Sequence, residues 1–208
     1  MNLQLEAIIS TQRLGRYLTA SAFETDRALA LYAWNMKIGA AFFPLFSAAE
    51  VALRNLIAAR LHAVYGVDWW GNPALILLLG GRGKGIVLRA VKKLELRGVP
   101  VDDGRLTAEL SFGFWENMLL PKYSVDLWTP LHPHFPDLPD QFSQADLFDR
   151  IAEICSLRNR ISHHEPIFDR DLSRDYARTM DLIRWLCIAK AEWIKPHCDV
   201  MTLLRRKP

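Results

Sequence analysis

The chain has 208 residues, half of them hydrophobic, and a net charge of +3, so it can bury a core without staples and is short enough for a single domain spanning 1–208. Its three cysteines, Cys155, Cys187 and Cys198, form no CxxC pair and have no matching histidine spacing. That excludes a disulfide scaffold and a structural zinc and points to a reducing compartment, the cytoplasm.

Residues 1–18, MNLQLEAIISTQRLGRYL, are polar and amphipathic and lack the basic-then-apolar order of a secretory signal, so they read as mature protein. Residues 26–61 carry apolar positions at helical spacing, with Pro44 as a break, which predicts two long helices meeting there. The uncharged stretch 38–49 inside them is too short for a membrane span and reads as buried. GGRGKG at 80–85 predicts a flexible turn. It is not a phosphate loop, since no Ser or Thr follows Lys84 and no buried strand precedes it. In 86–97, Val87, Leu88, Val91 and Leu94 make an apolar face, opposite Arg89, Lys92, Lys93 and Arg97. With Arg82 and Lys84 these cations are a candidate RNA-backbone track, weighed against an ordinary solvated helix face.

The proline-rich stretch 121–141, with its aromatics and with His132 and His134, predicts an ordered irregular loop and a soft internal boundary. Ser143 and Asp146 suggest a capping box opening a helix along which Leu147, Ile151, Ile154, Arg158 and Ile161 form one stripe. A last helix is expected over about 171–193. Strand signals are weak throughout, so the fold class is all-α.

Function shows in that stripe. An arginine among apolar positions either sits in the core or projects into a cleft where an anion meets it, and the second costs less. Asn159 and His163, four apart, share one side of the helix next to Arg158, and Pro166 is expected to stop the helix. The competing explanation is that Arg158 and His163 merely satisfy terminal carbonyls and the helix dipole. Glu50 and Arg54, at i and i+4 in EVALRNLIAARL, suggest an internal ion pair, with Asn55 nearby. His163, His164 and Glu165 do not complete a metal site, because adjacent histidines diverge on a helix, so neither metal nor cofactor is expected. The aromatics of SFGFW and the Trp69/Trp70 pair read as core.

The run LRNRISHHEPIF (157–168) resembles the signature of the Abi-like (abortive infection) proteins of bacteria, and Arg158, Asn159 and His163 match the Arg-x(4 to 6)-His motif of HEPN nucleases. YAWN (32–35), EVALRN (50–55), YGVDWW (65–70) and LSFGFW (110–115) occur in that family's order. The resemblance implies a HEPN-like helical bundle with a loop-rich insertion, dimerising so that two motifs face each other across a shared cleft. It implies metal-independent endoribonuclease activity, in which the ribose 2′-hydroxyl attacks the adjacent phosphorus to leave a 2′,3′-cyclic phosphate. His163 would then move protons, since imidazole does so near neutral pH. Arg158 would brace the phosphate, and Asn159 would orient His163 or a phosphate oxygen. His164, Glu50, Arg54 and Asn55 are candidate supporting residues. The implied partners are RNA, a second copy and an antitoxin protein or RNA, with no membrane. The alternatives are a non-catalytic RNA- or protein-binding module of the same fold, and a transferase holding a nucleotide between arginine and histidine.

Overall fold

The computed structural model describes residues 8–208, so the reading of the first seven residues lies outside it. Among the described residues every regular element is helical and none is a strand. The main helices are α1 (Thr11–Ala20), α2 (Thr25–Tyr65), α3 (Pro73–Leu96), α4 (Asp103–Glu109), α5 (Phe112–Asn117), α6 (Gln144–Ser162), α7 (Leu172–Leu186), α8 (Ile188–Ile194) and α9 (Val200–Leu204).

The spine is α2, at 41 residues about 60 Å long at 1.5 Å per residue. Leu31, Ile38, Phe42, Leu45, Ala49, Leu53, Ile57 and Leu61 bury one face of it, and α1, α4, α5, α6, α7, α8 and α9 pack along it. The expected break at Pro44 does not occur, and the helix runs through it. An internal proline costs about 3 kcal/mol. Phe42, Leu45 and Phe46 are buried immediately around it, and each contributes about 1.5–3 kcal/mol by leaving water, so burial outweighs the lost hydrogen bond. Among the described residues α2 is the helix long and apolar enough to cross a membrane, and 44 % of its most apolar window is buried in the molecule.

The turn expected at 80–85 narrows to a kink at Gly80, which leaves helical geometry at φ 69°, a backbone conformation that favours glycine, while the later glycines continue in helix. Buried Leu75 and Leu79 before the kink and Val87, Ala90 and Leu94 after it anchor both halves. The carbonyls exposed by the kink are used. Lys122 Nζ donates to Leu78 O at 2.8 Å and Leu79 O at 3.2 Å, a cation at a helix C-terminus. Leu88, expected on the apolar face, is 51 % exposed.

The proline-rich stretch is a chain of short helical turns from Pro121 to His134, more regular than the irregular loop expected. Pro121, Pro130 and Pro133 stand in the first positions of these turns, where the missing N–H has no partner to lose. Tyr123, Leu127, Leu131 and Phe135 are buried, and Tyr65 Oη donates to Asp126 Oδ2 at 2.9 Å to tie the stretch to the end of α2.

The capping box forms as expected. Ser143 accepts from the Asp146 amide while the Asp146 carboxylate accepts from the Ser143 amide. The final long helix is shorter than expected. It ends at Leu186, Cys187 is extended, and α8 begins at Ile188. Arg184 bridges the break to Glu192 at 2.9 Å.

Candidate active site

Helix α6 delivers the motif. Leu147, Ile151, Ile154, Leu157 and Ile161 are buried against the bundle, while Arg158 is half-buried and Asn159 and His163 are exposed. The end of α6 approaches α2 closely at Gly39. A Cβ there would stand 3.3 Å from Ile161 Cγ2, so the missing side chain sets the spacing of the two helices.

The helix stops before Pro166, through a left-handed cap. His163 is the C-terminal cap residue, and its amide donates to Asn159 O at 2.9 Å. His164 follows at φ 57°, with His164 N donating to Ile161 O at 3.0 Å and Glu165 N to Arg160 O at 2.8 Å. Glycine usually occupies this position. Here it is an imidazole held in a conformation that costs of order 1 kcal/mol. Arg160 folds over the turn, donating to Pro166 O and standing 3.4 Å from Glu165. Beyond it, Asn35 Oδ1 accepts the buried Ile167 amide at 2.8 Å. Asn35 of YAWN thus fastens α2 to the segment following the motif.

Within the motif, Arg158 Nη1 donates to Asn159 Oδ1 at 3.1 Å. The Asn159 side chain therefore holds Arg158, while its backbone carbonyl holds the amide of His163. Toward the interior, Glu50 on α2 feels the positive charges of Arg158 and Arg54. The expected Glu50–Arg54 ion pair is not formed within 4.0 Å among the described residues, and Arg54 Nε is buried without a hydrogen-bond partner. Long side chains at i and i+4 pair readily at a surface, but here Glu50 is shared between two guanidinium groups on different helices. Asn55 is exposed on α2. Glu116 on α5, absent from the sequence-based candidates, lies beside the buried Cys155 thiol, which burial and then Glu116 push up from its ordinary value. Two carboxylates, Glu50 and Glu116, thus back the helix that carries Arg158.

Burial raises the Glu50 carboxyl above its ordinary 4.5, with Arg158 and Arg54 opposing. A raised native value means the folded state holds the proton more tightly than the unfolded chain, so this group's contribution falls as pH rises from 4.5 through the native value. Glu50→Gln, which resembles the protonated acid, is expected to match the wild type below that window and to be the more stable protein above it. Urea denaturation at pH 4 and pH 7.5 reads the difference, and a variant less stable at both pH values would show that Glu50 contributes as an anion.

The candidate RNA track lies on α3, which packs chiefly on α4 and on the turn Trp69–Gly71. Lys93 and Arg97 both pair with Glu109, and Lys92 stands 3.6 Å from Glu95. Arg82, Lys84 and Arg89 are exposed. Lys93 first, with Arg97, holds the Glu109 carboxyl below its ordinary range, so these cations are engaged in pairing at neutral pH.

Helix α6 and the start of α7 enclose a hollow of about 380 Å³ with Ser156, Arg170, Arg174 and Arg178 at its walls. Arg170 grips Asp175 through two hydrogen bonds of 2.9 Å, and Arg178 pairs with Glu153. Among the described residues no group of three or more His, Cys, Asp or Glu side chains is placed to hold a metal ion. His132 packs its ring on Trp128 at 4.9 Å, and Trp69 and Trp115 are fully buried.

No family model matches the chain, and neither curated proteins nor solved structures yield a significant match.

Proposed function

We propose that the chain is a metal-independent endoribonuclease of the HEPN type, acting as a homodimer on RNA. The observation that carries this reading is the arrangement at the end of α6. Arg158 is held by Asn159 and faced by Glu50, while His163 stands exposed one helical turn beyond Asn159. A planar cation fixed in place, with an accessible imidazole close by, suits a phosphodiester.

In the reaction the 2′-oxygen loses its proton and bonds to phosphorus. The bond to the 5′-oxygen breaks, and that oxygen leaves with a proton, giving a 2′,3′-cyclic phosphate and a 5′-hydroxyl. One proton must be taken and one given. Each chain offers one His163 imidazole, exposed at the end of α6, for this. A second copy would bring the second His163, with both Arg158 side chains offsetting charge on the phosphate. The wider role we assign is growth arrest in the bacterial cytoplasm during phage defence, restrained by an antitoxin protein or RNA.

The test is labelled RNA incubated with purified protein in excess chelator. Products ending in 2′,3′-cyclic phosphate, absent with His163→Ala, are expected. Binding without cleavage of any RNA tested would instead favour the non-catalytic module.

A further inference from the structure

Beside the motif lies a cleft of about 640 Å³, within the roughly 300–1,000 Å³ of small-molecule sites. It opens between α1, α2 and the left-handed turn after α6. Three features give it chemical character. One wall is apolar and reachable, formed by Met36, 56 % exposed, and Phe43, 49 % exposed. His164, an exposed residue, also lines it, and it stands in the left-handed backbone that a glycine would occupy without cost. The rim carries Arg13, which makes no ion pair among the described residues. Glu165, the acidic side chain lining the cleft, stands 3.4 Å from Arg160. Tyr17 lies at the floor, pushed up to about 12 by burial and then by Tyr32, and stays a neutral hydroxyl.

We propose that this cleft is a nucleotide subsite. The base lies against Phe43 and Met36, His164 meets its polar edge, and Arg13 takes its phosphate. The position fits the motif, since His163 and His164 are consecutive and His164 lines the cleft together with Ile161 and Ser162 of the same helix end. The proposal rests on the nuclease reading for the identity of its ligand. It adds that the RNA residue beside the scissile phosphate is held as a base, not only by its charge.

The test is an NMR titration of the full chain with 3′-AMP, 3′-CMP, 3′-GMP and 3′-UMP, using inorganic phosphate as the parallel probe. Shifts at Ser162, His164 and Gly39 are expected with at least one nucleotide and not with phosphate at the same concentration. Phe43→Ala is expected to weaken that binding by about tenfold, the loss of one base–aromatic contact. Ala40→Phe, which fills the cleft, and Arg13→Ala, at its exposed rim, should each weaken it as well. Equal shifts with phosphate alone, or no shifts, would overturn the proposal. So would an Ala40→Phe chain that binds nucleotides as before and changes only its sedimentation, which would make the face a contact between copies. Nucleotide binding in the cleft without cleavage of RNA leaves the subsite standing and removes the nuclease reading. Cleavage without nucleotide binding does the reverse.

Discussion

In RNA cleavage under chelation, His163→Ala is expected to lose about 10²–10⁴-fold in rate, the usual loss of a proton-transferring group. Arg158→Ala should lose about 10²–10³-fold, comparable to removing a donor aimed at transition-state charge. Arg158→Lys should recover little, because an ammonium cannot present two parallel donors to a phosphate while also holding Asn159 Oδ1. Arg158 is half-buried on α6 and His163 is exposed at its C-terminal cap, so thermal unfolding should stay near that of the wild type and separate lost chemistry from lost fold. Full activity in either variant would remove the motif from the mechanism.

The shared cleft makes a sharper demand. If one shared site needs His163 from both copies, an equal amount of inactive His163→Ala chains added to wild type leaves about a quarter of the dimers intact with random pairing, so the activity of the wild-type chains should fall by about half. Unchanged activity on mixing would place a complete site on each chain, and a strictly monomeric sedimentation profile at micromolar concentration would remove the dimer altogether.

What could be read from the sequence follows from how local each feature is. The all-helical class and the α6 stripe are one-dimensional patterns, and the capping box at Ser143 is a local exchange of hydrogen bonds. Where the outcome depended on burial from elsewhere, local signals misled. Pro44 is a breaker in isolation, yet apolar side chains on both sides hold α2 together through it, whereas of the 80–85 glycines Gly80 does interrupt helical geometry. The Arg158–Asn159–His163 grouping was legible from helical phase, but its supports were not. Glu116 comes from another helix and carries no spacing signal. Arg160 and the left-handed His164 depend on the path of the chain after the helix. Asn35 could have been found, since it is a polar residue on the α2 face that also buries Leu31, Ile38 and Phe42. A buried amide among such neighbours needs a partner.

That partner gives the largest expected effect on stability. Asn35→Ala leaves the Ile167 amide buried with no acceptor, Ile167 being 0 % exposed. Stranding such a donor costs about 1–3 kcal/mol, and the small cavity adds to it. Asn35→Leu separates the two contributions, because it fills the space but still strands the amide. If the hydrogen bond dominates, both variants lose similar stability in urea; recovery in Asn35→Leu would assign the loss to packing. The effect should reach the motif as well. The turn from His163 to Ile167 is fixed at one end by the α6 cap and at the other by Asn35. Releasing the second anchor frees the segment that sets the direction of both imidazoles. Below the unfolding transition, where both variants are fully folded, cleavage should therefore fall through kcat with KM little changed. That split follows from a misplaced proton-transfer group on an intact phosphate-binding surface. Unchanged kcat in the folded variants would confine Asn35 to holding the bundle together.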